Sequence, residues 1–307
     1  MNNMRMNLLE VGPRDGLQNE SRMVPTAAKI EMIERLVAAG LRRLEVTSFV
    51  NPKRVPQMAD AEAVLAGLPA RDGVSYIGLV LNRKGFERAR AAGCHEVGMA
   101  VVASDTFNRR NQGVDTRESV AAWLEIAREA HAADIKPHIT LSTAFGCPFE
   151  GEIDPRRVLE LAQECARGDP IEIALADTVG VAVPSQVSDL FGRLRELLPG
   201  VALRAHFHNT RNTGIANAYA AVMAGVETLD ASVGGIGGCP FAPAATGNIP
   251  TEDVLYMLDR MGVDTGVALE PLIETSRWVQ EQLGRPVPGM LVKAGRFPRN
   301  EQQIKNG

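Results

Sequence analysis

His206-Phe207-His208 is the spacing in this sequence with the most chemistry in it. On a β-strand, side chains two residues apart share a face, so the two imidazoles can occupy adjacent positions around one ion. Two histidines hydrogen-bonded in a polar pocket fit that pair equally well when it stands alone. Asp15, in Arg14-Asp15 directly after an apolar run, adds an anionic oxygen and shifts the reading toward a metal. One carboxylate oxygen, two imidazole nitrogens and, as a further candidate, the amide oxygen of Asn248 leave open positions for substrate. That mixed set suits octahedral Mg2+ or Mn2+ better than a thiolate zinc site.

Other polar groups sit where they could serve such an ion. The Arg14 guanidinium stays charged and presents a rigid donor fork suited to an oxyanion, although an Arg-Asp dipeptide is more commonly a structural ion pair. Glu45 and Asp177 are candidate proton carriers, and equally candidate caps for the chain that follows them. Gly234-Gly235-Ile236-Gly237-Gly238-Cys239-Pro240 is too rich in glycine for a helix or strand interior and reads as a mobile lid. A phosphate cradle is the weaker alternative, because no G-x-G-x-x-G motif runs from a strand into a helix there. Cys239 on this lid is a candidate proton donor or acceptor, with a small apolar plug as its plain alternative. Cys147 belongs to a second loop that lines the same mouth without reacting.

Positioning these residues requires a scaffold that gathers loops from distant parts of the chain. Eight β-rich runs fall at 7–11, 43–47, 75–81, 96–102, 136–142, 171–175, 202–208 and 228–233, separated by longer amphipathic stretches. Helix starts are marked by Pro25-Thr26, by Asp115 with Glu118, and by Pro184-Ser185, and Gly40, Gly93 and Gly225 mark stops. Eight such repeats specify an α/β fold, a closed (β/α)8 TIM barrel, and the chemistry-bearing residues cluster just after strands, on the face where barrel active sites lie. A doubly wound open sheet shares the alternation, but Gly12-Pro13-Arg14-Asp15-Gly16 stands where a dinucleotide-binding turn would carry its glycine signature. The barrel domain is expected over 1–268. Residues 269–307 are expected to add a short C-terminal helical extension and tail within the same domain.

The 307 residues are 45% hydrophobic and 23% charged, near the globular average, which excludes disordered and fibrous classes. The longer apolar runs, such as 218–226, fall far short of the roughly 20 residues that cross a bilayer, so no membrane partner is expected. The first residues carry no apolar signal core, making the cytoplasm the default location. Four cysteines without CxxC spacing suggest reduced thiols, and a formal net charge of −4 with dispersed basic residues gives no footprint for nucleic acid. The apolar residues Leu272, Ile273, Trp278 and Val279 of the last helix could bury against the barrel or form a homo-oligomer interface.

Taken together, Val11-Gly12-Pro13-Arg14-Asp15-Gly16-Leu17-Gln18-Asn19-Glu20, Thr47-Ser48-Phe49-Val50 with Pro52-Lys53, Asp177-Thr178-Val179-Gly180, His206-x-His208 and Gly237-Gly238-Cys239-Pro240 resemble the 3-hydroxy-3-methylglutaryl-CoA lyase family, in order and along nearly the whole chain. The resemblance implies Asp15, His206, His208 and Asn248 as ligands of a divalent cation and Arg14 as the group that stabilises an enolate. It implies Cys239 as a catalytic loop cysteine, and Glu45 and Asp177 as members of the acid/base network. Gln18 and Ser48, within the matching motifs, and Arg211 are candidate substrate contacts. The implied reaction is a retro-Claisen cleavage of an acyl-CoA that releases acetoacetate and acetyl-CoA.

The chain also departs from that family. Asn209-Thr210-Arg211-Asn212-Thr213 stands where the lyases usually carry Asp-Thr-Tyr-Gly-Gln, and Ala174 and Ala176 replace an expected Ser and Gly. Losing a carboxylate and gaining Arg211 adds positive charge beside the site, which could select a different or more acidic 3-hydroxyacyl group, such as citramalyl-CoA or a 3-alkyl homologue. A condensing synthase of the isopropylmalate type is disfavoured by Leu17 and by the lack of a long C-terminal regulatory region. A catalytically silent barrel is disfavoured by the intact ligand set.

Overall fold

A computed structural model describes residues 4–238 and 247–298. Eight parallel strands close into one barrel in sequence order: β1 (Asn7–Glu10), β2 (Arg43–Ser48), β3 (Ser75–Val80), β4 (Glu96–Val102), β5 (Lys136–Ser142), β6 (Ile173–Asp177), β7 (Leu203–Phe207) and β8 (Thr228–Ala231), with β8 paired back onto β1. All eight expected runs form strands. The sixth starts two residues later than its apolar pattern suggested and ends on Asp177, while the seventh ends at Phe207. His208 instead forms an antiparallel bridge to Asn248, which lies ahead of α9.

The helices around the barrel are α1 (Thr26–Ala38), α2 (Ala61–Gly67), α3 (Arg83–Ala91), α4 (Asp105–Gln112), α5 (Thr116–Ala132), α6 (Pro155–Ala166), α7 (Pro184–Leu197), α8 (Gly214–Met223), α9 (Thr251–Met261), α10 (Leu269–Leu283) and α11 (Leu291–Ala294). Their starts follow the sequence signals. Pro25 precedes α1, Pro184 opens α7, and Asp115 and Glu118 exchange the two 2.9 Å bonds of a capping box that releases α5 toward the buried Trp123. Gly40 ends α1 at φ +110°, and a β-carbon there would lie 2.5 Å from the Gly266 carbonyl oxygen, so both conformation and space require glycine. Beyond 269 the chain forms two helices rather than one. Leu272, Ile273 and Val279 of α10 are buried in the same core as the barrel helices, so that apolar face is used within the chain, and Trp278 packs under the Arg35 guanidinium.

The barrel interior is polar along part of its length. Arg43 bridges Glu96 (2.6 Å) and Glu172 (2.9 Å), and Arg204 pairs with Glu172 (3.1 Å) and Asp230 (3.2 Å). Arg204 also bonds His138 Nδ1 (3.0 Å) and the Thr140 hydroxyl (2.9 Å). Gly98 makes room for the His138 ring, since a β-carbon would meet Cε1 at 2.6 Å. Buried charges of this kind stand only when each finds a partner, and here every guanidinium is shared between two carboxylates.

Candidate active site at the barrel mouth

Val11 at the end of β1 leads into one turn of π-helix, Gly12–Gly16, closed by the Gly16 N–H donating to the Val11 carbonyl (3.1 Å). Such turns are rare and often functional, because the extra residue pushes side chains out of the regular helical path. Here it presents Arg14 and Asp15. The turn is held from below by the buried Glu10 carboxyl, which accepts from the Gly12 N–H (2.8 Å), the Val233 N–H (2.9 Å) and the Thr251 hydroxyl (2.7 Å). Glu10 thus ties the first loop to both ends of the eighth.

Arg14 Nη1 donates to Asp15 Oδ1 (2.7 Å) and Nε to Glu45 Oε1. Glu45 is buried at a position where the β2–β3 register shifts, the kind of irregularity that re-aims a side chain near a site. Asp15 Oδ2 accepts from the Asn248 amide (2.8 Å) and lies 3.9 Å from His208 Nε2. His206 and His208 lie side by side with ring centroids 5.2 Å apart, and His206 Nδ1 bonds Asp230 Oδ2 at 3.1 Å. Asp15, His206 and His208 each offer a ligand atom, and these atoms all lie within 4.8 Å of one another.

The charges match what a cation needs. Burial acts to raise the Asp15 carboxyl, but Arg14, then His206 and His208, and the Asn248 bond hold it far below the usual carboxylate range. Burial, reinforced by His206, pushes His208 down to about 4 against the pull of Asp15, so its imidazole is neutral at pH 7. Burial also acts to lower His206, yet its bond to Asp230 and the charges of Asp230 and Asp15 raise it. An ionised carboxylate and a neutral imidazole are the ligand forms metals take, and a cation would displace the proton from His206. His208 Nδ1 and Ser48 Oγ are buried polar atoms without a partner among the described residues. The donor chemistry therefore fits a divalent cation with room for substrate.

The remaining candidates are placed around this centre. Ser48 is fully buried at the end of β2, and Gln18 follows the π-turn with a buried Oε1 that has no partner among the described residues. Asp177 turns both carboxylate oxygens to its own loop, accepting from the N–H groups of Val181 and Ala182 (2.9 Å each); burial raises its pKa against those bonds. Arg211 is exposed and donates to the carbonyls of Val179 (3.2 Å) and Gly180 (2.9 Å). Cys239 lies outside the described residues. Cys147 is buried beside Ser104 (3.0 Å).

The first part of the glycine-rich segment is packed structure rather than a lid. Val233 to Ile236 are buried, the Gly234 N–H donates to Glu252 Oε2 (3.0 Å) and the Gly235 N–H to the Ser232 carbonyl (2.7 Å), so those donors are not free to cradle a phosphate. Asp230, Arg204 and Glu10 also border this centre, and no motif points to them. Their signal was present: acids and a guanidinium at inward positions of otherwise apolar strands, with Arg204 and His206 sharing one face of β7.

Among the described residues no helix is long and apolar enough to cross a membrane. The HMGL-like family model matches residues 5–279. An (R)-citramalyl-CoA lyase of Chloroflexus aurantiacus is 43% identical over 298 residues, 94% of each chain. The hydroxymethylglutaryl-CoA lyase of Pseudomonas mevalonii is 44% identical over 277 residues, 90% of this chain and 92% of that one. An HMG-CoA lyase from Acinetobacter baumannii, solved in complex with coenzyme A and 3-methylmalate, superposes with a TM-score of 0.93 at 40% identity, covering 96% of this chain and 97% of that one. With a barrel mouth of this composition and similarity along nearly its whole length, the chain belongs to the HMGL-like family and is a carbon–carbon lyase.

Proposed function

We propose that this barrel cleaves 3-hydroxy-3-methylglutaryl-CoA to acetoacetate and acetyl-CoA, with Mg2+ or Mn2+ held by Asp15, His206 and His208 and with Asn248 as a fourth ligand. The observation that carries the reading is the convergence of the three ligand atoms beside an Arg14 guanidinium already anchored by Asp15 and Glu45. The bound cation supplies Lewis-acid polarisation of the substrate oxygens. Asn248 presents Nδ2 to Asp15, and rotation of its amide turns Oδ1 toward the same position.

Arg14 uses Nε and Nη1 on carboxylates, which fixes its plane, and its remaining N–H groups serve the oxygen that becomes negative as the C2–C3 bond breaks. Glu45 is the base that accepts the tertiary hydroxyl proton. The electron pair of the broken bond passes to the thioester as an enolate, acetoacetate leaves, and the enolate carbon takes a proton from Cys239. Ser48 and Gln18 bring buried polar atoms without partners among the described residues to this mouth, which supports them as substrate contacts. Asp177 contributes by fixing the loop it caps.

A second reading, cleavage of citramalyl-CoA or a 3-alkyl homologue, is favoured by the substrate named for the Chloroflexus relative and by the positive charge that the exposed residue Arg211 adds in the loop after β7, where Asn209 carries no charge to offset it. The test is cleavage by purified protein with Mg2+ or Mn2+, comparing 3-hydroxy-3-methylglutaryl-CoA with citramalyl-CoA and following free products by mass spectrometry. Chelator-sensitive release of acetoacetate supports the first reading. Release of pyruvate from citramalyl-CoA alone moves the specificity and keeps the site, whereas no turnover of either substrate at any metal concentration overturns both.

A further inference from the structure

The two imidazoles are supported unequally. His208 Nδ1 is buried with no partner among the described residues, whereas His206 Nδ1 faces the Asp230 carboxylate at 3.1 Å. Asp230 is itself 3% exposed and is held from beneath by Arg204, whose Nη1 reaches its two oxygens at 3.2 and 3.3 Å. Arg204 cannot follow the carboxylate if it moves, because its other nitrogens are committed to Glu172, His138 and Thr140. The backbone sets the same arrangement, since His206 is the register partner of Asp230 across β7 and β8.

We propose that Asp230, braced by Arg204, is the positioning residue of the cation site: it fixes the His206 ring with Nδ1–H toward the carboxylate, so that Nε2 is the nitrogen turned to the ion and the one that gives up its proton when the ion binds. The proposal rests on the cation reading of Asp15, His206 and His208. An imidazole whose second nitrogen is fixed by a carboxylate keeps its ring orientation in waiting, and removal of such a partner typically weakens metal binding by about 10–100-fold. Among the described residues His208 has no such brace, and its alignment relies on its backbone bridge to Asn248 and on the neighbouring Asp15. The ligand set is therefore half preformed, and Asp230 acts through His206 without touching substrate.

The chain has five histidines, few enough to resolve individually in long-range 1H–15N spectra of 15N-histidine-labelled protein. In the Mg2+-loaded wild type, the His206 signals, assigned with His206→Gln, should show Nδ1 protonated and Nε2 unprotonated. The opposite tautomer overturns the proposal without any variant of Asp230 having to fold. Asp230→Asn, checked for an intact fold by near-ultraviolet circular dichroism, should bind Mn2+ about 10–100-fold more weakly by calorimetry. Excess Mn2+ should recover most of its kcat. Wild-type affinity in Asp230→Asn overturns the positioning role, whereas wild type that binds no Mn2+ overturns the cation reading itself.

Discussion

Asp177 and Arg211 fasten the same four-residue stretch from opposite sides. The Asp177 carboxylate accepts from the N–H groups of Val181 and Ala182, and the Arg211 guanidinium donates to the carbonyls of Val179 and Gly180. The loop after β6 is thereby fixed by a buried acid from within and an exposed base from outside. Asp177→Ala should cost about 2–4 kcal/mol in chemical unfolding, because two N–H donors beside the core lose their partner. Arg211→Ala should stay within about 0.5 kcal/mol of wild type. Its KM for a carboxylate-bearing acyl-CoA should nonetheless rise, and an unchanged KM across both candidate substrates would remove Arg211 from the specificity argument.

Asp15 is the group on which the cation reading turns. Asp15→Ala should reduce metal-dependent turnover by roughly 10²–10³-fold or more, since it deletes the one anionic ligand and releases Arg14 from its orienting partner. Chelation of wild type should give the same loss, reversible by Mn2+, and chelation of the variant should change nothing further. Retained, chelator-sensitive turnover in Asp15→Ala would reassign the anionic ligand.

Gly237 approaches the same centre through its backbone. Its φ is +120°, and a β-carbon would fall 2.5 Å from Asn248 Nδ2 and 3.4 Å from the Asp15 carbonyl. Gly237→Ala should displace Asn248 from Asp15 and weaken Mn2+ binding by about tenfold while leaving the far-ultraviolet spectrum unchanged. Calorimetric titration of the variant checks this directly.

Stability should fall as pH rises through neutrality. Burial raises Glu10 to about 7 and Glu252 to about 8, against their hydrogen bonds. Both folded values exceed those of the unfolded chain, so the folded state holds more protons between roughly pH 4.5 and 8. Their contribution is fully present below the unfolded values and is lost as pH climbs past the folded ones, at about 1.4 kcal/mol per pH unit for each group. Urea unfolding at pH 5.5, 7 and 8.5 should show the decline, and Glu10→Gln should flatten its lower part. Burial of His138 and His208 acts in the opposite sense below about pH 6.5, so the decisive quantity is the stability difference between wild type and Glu10→Gln, and a difference that does not change between pH 5.5 and 8.5 would contradict the assignment.

The strands and helix caps were legible because each has a local cause: alternating apolar residues, a proline at a helix start, Asp115 three residues before Glu118. The pairing of His206 with His208 was legible from period two alone. What spacing could not show was the company each residue keeps. Asn248 reaches Asp15 across 233 positions of sequence, and Asp230 meets His206 only because β7 and β8 align in register. Asp177 and Arg211 had the right types for chemistry, yet their polar atoms satisfy a loop, a distinction that only the backbone around them makes. The packing of Gly234 was hidden for the same reason, since its partner Glu252 lies in α9.

The chain of matched charges along the barrel axis, from Glu96 through Arg43, Glu172 and Arg204 to Asp230, has a consequence for how this sequence can drift. Neutralising any one member strands its neighbour in the interior, at about 3–5 kcal/mol for a buried pair broken on one side. Replacements along the axis must then arrive as correlated pairs, linked from one end of the barrel to the other. Surface helices can diverge residue by residue, whereas changes in the column beneath His206 are expected to be coupled.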